Sequence, residues 1–150
     1  MADYFIGDIQ GCYDGLQKAL AEVSFNPGKD TLWLTGDLIA RGENSLAVMK
    51  YLYKQQDSVK TVLGNHDLHF LSVVNGLKKP NPKDKLETLI HSSKLPRYVD
   101  WLRRQPMLLE LPDAKGYMSH AGLAPDWDIA QAKCWNKQIC EQLQKEDYQQ

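Results

Sequence analysis

Four short apolar or β-prone runs in this chain end alike: "YFIGD", "LWLTGD", "TVLGNHD" and "GYMSHAG" each close on glycine with a carboxylate, amide or imidazole. Asp8 and Asp37 are 29 positions apart, and Asp37 and Asn65 are 28 apart. Each interval is close to the roughly 30 residues of a strand, helix, strand unit. The residues between carry helical spacing, with Leu16, Ala19, Leu20 and Val23 in 13–23 and Leu46, Met49, Tyr51 and Leu52 in 45–53. Strands alternating with helices predict an α/β fold with a parallel sheet. Such a sheet binds ligands beyond the carboxyl ends of its strands. That places Asp8, Asp37, Asn65, His66 and His120 near one point. An ionised carboxylate at the end of an apolar strand is costly unless it is paired or bound to a metal, so Asp8 is expected to have a partner.

With 150 residues, 43% hydrophobic and 25% charged, the chain has room for one domain with a real core. Lys and Arg number 18 against 19 Asp and Glu. No bulk attraction to nucleic acid or acidic lipid follows, so neither is expected as a partner. No apolar run approaches the roughly 20 residues of a membrane span, and "MADYFIGD" lacks the charged and apolar regions of a signal peptide. The expected location is cytoplasmic. Cys12, Cys134 and Cys140 are odd in number and lack CxxC spacing, and read as reduced thiols that mostly pack.

The stretch "KKPNPKDK" at 78–85 reads as a solvated connection broken by two prolines. "LPRYVDWLRRQP" predicts a helix halted before Pro106, and 127–143 predicts another amphipathic helix. His69 and His91 read as structural or exposed.

Carboxylate, amide oxygen and imidazole ligands suit borderline divalent ions such as Mn, Fe, Co or Zn. Two such ions sharing one carboxylate can activate water and clamp a phosphoryl group. Asp8 would then bind the first metal, Asp37 bridge, and Asn65 with His120 bind the second. Taken singly, Asp8 and Asp37 fit helix caps or turns better than they fit a metal site. Their recurrence at four strand ends favours the metal reading.

In this order, "GDIQG", "GDLIARG", "GNHD" and "HAG" resemble the signature of the calcineurin-like metallophosphoesterases of the phosphoprotein phosphatase superfamily. The wording "YFIGDIQGCYDGL", "KDTLWLTGDLIARG", "VLGNHDLHFL" and "WLRRQPML" is similar to the branch that cleaves dinucleoside tetraphosphates symmetrically, as far as about Trp127. The resemblance implies a four-layer α/β/β/α sandwich with two divalent metals, Mn or Co first and Fe or Zn as further candidates. It implies a dinucleoside polyphosphate substrate split into two nucleoside diphosphates. By the same resemblance Asp8, Asp37, Asn65 and His120 are ligands, His66 is the general acid, and Arg41 holds substrate phosphate with its planar fork.

Three departures qualify it. Gln10 stands where the general pattern has His; its neutral carbonyl is either a weaker metal ligand or a hydrogen-bond partner. Ala40 stands where protein phosphatases of the superfamily carry an Asp that orients the acid histidine, which weighs against a phosphoprotein substrate. The family also continues for about as many residues again, so 1–150 is expected to be the N-terminal part of the domain. A later histidine ligand, most of the second sheet and most nucleotide-stacking aromatics are expected outside it. The competing expectation is an inactive module that binds metal or nucleotide.

Overall fold

The computed structural model describes every residue from Met1 to Gln150. Strands β1 (Asp3–Ile6), β2 (Thr31–Leu34) and β3 (Val59–Thr61) form a parallel sheet in the order β1-β2-β3. The register runs Ile6 beside Leu34 and Leu34 beside Thr61. Helices α1 (Tyr13–Glu22) and α2 (Ser45–Lys54) make the two crossovers. Both helices fall where the spacing of their apolar residues puts them. α1 buries Leu16 and Leu20, one turn apart, and α2 buries Val48, Met49 and Leu52. The Asn44 side chain caps α2 by accepting from Ala47 N at 3.1 Å.

Leu32 and Leu34 of β2 are fully buried in the main core, with Val48, Met49, Leu52, Phe70 and Leu102. Full burial of a leucine is worth about 1.5–3 kcal/mol, and β2 is buried on both faces as a central parallel strand should be. On its other face Trp33 joins Val62 and Met118 in a smaller core, flanked by Leu109 and Leu111. Met118 and Leu109 belong to a separate antiparallel pair, β4 (Leu108–Glu110) with β5 (Tyr117–Ser119). The fold is therefore mixed α/β, with helices on one side of the parallel sheet and a second, two-stranded sheet contributing to the other.

Two expectations are refined here. "GYMSHAG" ends as the other three runs do, yet its strand lies in the second sheet. The "GNHD" loop is also the start of a helix, α3 (Asn65–Val74), which follows β3 after only three residues. Helices α4 (Glu87–Ile90), α5 (Leu95–Arg103) and α6 (Ile129–Gln144) complete the chain. α5 buries Tyr98, Trp101 and Leu102, whereas α6 buries only Ala132. Of the cysteines expected mostly to pack, Cys12 and Cys134 are exposed and Cys140 is half-buried; all three are free.

Candidate metal centre

The loops after the strands are laced together by backbone hydrogen bonds. Gln10 N donates to Asp37 O at 2.9 Å, Gly11 N to Leu38 O at 3.1 Å, and Gly42 N to Gln10 O at 2.7 Å. Leu63 N donates to Pro106 O at 2.9 Å, tying the third loop to the approach to β4. Positive φ at Gln10 (47°), Asp37 (50°), Ala40 (79°) and Arg41 (69°) marks these loops as backbone that L residues adopt at a cost. Such conformations persist where the surroundings hold them and gather at functional sites. Gly36, at φ 94°, lies so close to Gly64 that a Cβ would overlap its backbone, and a Cβ on Gly64 would overlap the Asp37 carboxylate. Only glycine at both positions lets the second and third loops meet around Asp37.

The strand ends converge as the sequence implied. Asp8, Asp37 and His120 each offer one ligand atom, all within 4.8 Å of one another. Asp37 is 2% exposed, while Asp8 lies open to solvent. His120 reaches the cluster from the second sheet, its Nδ1 2.8 Å from Thr35 O. A carbonyl is only an acceptor, so Nδ1 donates to it and turns Nε2 toward the cluster. Nε2 faces Asn65 Oδ1 at 3.1 Å and Asp37 Oδ2 at 3.6 Å. One ring nitrogen and two oxygens thus converge. A cation suits this arrangement, and the mixed carboxylate, amide and imidazole set is one that borderline divalent ions accept.

His66 sits on the same carboxylate. Its backbone N donates to Asp37 Oδ1 at 2.9 Å and its Nδ1 lies 2.8 Å from Asp37 Oδ2. Its Nε2 has no partner within the chain. Ala40, 1% exposed, supplies no carboxylate, and Asp37 orients the ring instead. Gln10 enters the centre through its backbone N and O, and its side chain makes no hydrogen bond within the chain.

Two acidic residues given no role in the sequence organise this cluster. Asp67, fully buried, accepts from Asp37 N at 2.7 Å, Leu38 N at 3.0 Å and Gly64 N at 2.9 Å. Burial pushes its carboxyl up to about 6, against the downward pull of those donors. Its place at the third position of a helix that begins at Asn65 was the available signal. Asp84 lies in the stretch read as a solvated connection, yet it is 3% exposed. It stands 3.0 Å from Arg41 Nε, an ion pair not aligned as a hydrogen bond, and 3.6 Å from His69 Nε2. Arg41 N also donates to Asp84 O at 2.9 Å. That connection therefore anchors Arg41, whose guanidinium stays half exposed.

The sequence model of the calcineurin-like phosphoesterases matches residues 4–148. A "Bis(5'-nucleosyl)-tetraphosphatase, symmetrical" of Shewanella frigidimarina is 49% identical over 99% of this chain and 54% of its own length. The protein of the same name from Shigella dysenteriae is 48% identical over 99% of this chain and 52% of its own. The chain thus spans about half the length of the curated relatives it matches. A crystal structure that goes by the name of a diadenosine tetraphosphatase superposes with a TM-score of 0.69 at 32% identity, over 85% of this chain and 53% of its own. Strand-end chemistry, fold and family match agree, and the chain belongs to the calcineurin-like phosphoesterases.

Proposed function

We propose that the chain forms part of a metal-dependent hydrolase that cleaves a dinucleoside tetraphosphate, such as diadenosine tetraphosphate, symmetrically into two nucleoside diphosphates. The observation carrying this reading is the convergence of Asp8, Asp37, Asn65 and His120 around one point. The shared name of the relatives supports the substrate class.

In this reading Asp8, Asp37, Asn65 and His120 would hold two divalent ions, Mn or Co being preferred, with Gln10 as an additional oxygen donor. Bound ions supply Lewis acidity, lower the pKa of water and clamp the phosphoryl oxygens. The chain's own residues do the rest. Arg41, held by Asp84, presents its free N–H groups to a substrate phosphate. His66, its Nδ1 engaged by Asp37, keeps Nε2 for the proton delivered to the leaving phosphate. Asp67 fixes the backbone beneath Asp37 and so the position of its carboxylate. A cytoplasmic location belongs to the same reading.

Chromatography of the products from diadenosine tetraphosphate with Mn tests this reading. ADP as the sole nucleotide product is expected. AMP with ATP would overturn the symmetry, and tight metal binding without turnover would leave only the binding-module alternative.

A further inference from the structure

A cavity of about 320 Å³ opens beside the strand-end cluster and shares Asn65 and His120 with it. Its other walls include Leu68, Met107, Leu123, Trp127, Trp135 and Asn136, drawn from α3, the approach to β4 and the α6 region. Its size is that of a small-molecule site. Trp127 and Trp135 are 43% and 47% exposed. Their ring centroids lie 6.3 Å apart and the planes are tilted by 34°.

We propose that this cavity receives one nucleobase of the substrate, stacked on an indole face. The inference rests on the hydrolase reading above and locates the nucleoside end of that substrate. A base has two apolar faces and a polar edge, and the cavity offers both kinds of partner. Asn136 Oδ1 accepts from Met107 N at 2.9 Å and Leu108 N at 3.1 Å, which fixes the orientation of its amide. Its Nδ2 is left with no partner in the chain, a donor suited to a ring nitrogen of a purine. A phosphate chain alone would gain nothing from indole faces or from Leu68, Met107 and Leu123. Because the cavity begins at Asn65 and His120, a nucleotide with its phosphates at the cluster has its base within reach of the indoles. Stacking tolerates different bases, so the cavity selects for a nucleobase over none rather than adenine over guanine.

The experiment is a fluorescence titration of the protein, with Mn, using adenosine, ribose, ADP and pyrophosphate as probes. Adenosine and ADP are expected to quench indole emission saturably, and ribose and pyrophosphate are not. Trp127→Ala or Trp135→Ala, whichever ring carries the base, should weaken ADP binding roughly 5- to 150-fold. If a variant fails to fold, adenosine against ribose on the unaltered protein decides. No saturable response to adenosine, or unchanged ADP affinity in both folded variants, overturns the proposal. Nitrophenyl phosphate has no base, so its metal-dependent turnover by the unaltered protein tests the hydrolase reading separately. Turnover without an adenosine response removes the cavity assignment and keeps that reading. Adenosine binding without turnover does the reverse.

Discussion

The Asp37 carboxylate holds both the backbone and ring of His66 and faces His120. This bears on how His66→Ala should behave. In the proposed function His66 protonates the leaving group and takes no part in metal binding, so its loss should cut turnover of the tetraphosphate by roughly 10² to 10⁴. Metal content should stay unchanged. Nitrophenyl phosphate, whose leaving group needs little protonation, should be hurt less. Equal losses on both substrates in steady-state assays would remove the acid role. Asp67 makes the opposite kind of contribution, to stability. Asp67→Ala leaves three buried N–H groups without an acceptor. At about 1–3 kcal/mol for each such group, the loss should be at least ~3 kcal/mol in urea unfolding; a loss under ~1 kcal/mol would show that water replaces the carboxylate. The ligand-type residues were legible because each closes an apolar run. Asp67 was visible within "GNHD" yet given no role, and Asp84 was hidden in a run of lysines and prolines whose composition says only that it is solvated.

The strands and crossover helices follow from apolar spacing, because β2 is buried on both faces and α1 and α2 bury one stripe each. What spacing could not reveal was the sheet to which β5 belongs. A strand end reads the same from either sheet, and His120 reaches the cluster from the second. The turn before β2 has its own electrostatic support. Asp30 accepts from Ala2 N and Asn26 N, both at 2.9 Å, and the Asn26 hydrogen bond leads in holding its carboxyl below the usual range. With the folded value depressed, the unfolded chain takes up the proton first as pH falls. The stabilisation is therefore present above about pH 4, the ordinary aspartate range, and fades as pH drops through the lowered value. Asp30→Asn should flatten that part of the stability profile in urea unfolding between pH 3 and 6. An unchanged profile would place the acid sensitivity elsewhere.

Across the molecule the two cores differ in extent. The main core fills the space between the parallel sheet and its helices, while the smaller one lies around Trp33, Val62 and Met118. Phe5 stacks on Trp33 at 5.8 Å between centroids and remains 53% exposed. The side of the parallel sheet that meets the second sheet is thus only partly covered by these residues. The strand-end cluster, by contrast, draws on both sheets, and its four convergent residues all lie within the residues described. The proposed function requires this convergence to be a two-metal centre built on a shared Asp37. Elemental analysis of the protein and of Asp37→Asn after Mn loading tests it most directly. Two ions per chain in the unaltered protein, with both lost in the variant, is the predicted result; Asp37→Asn retaining two ions would contradict it.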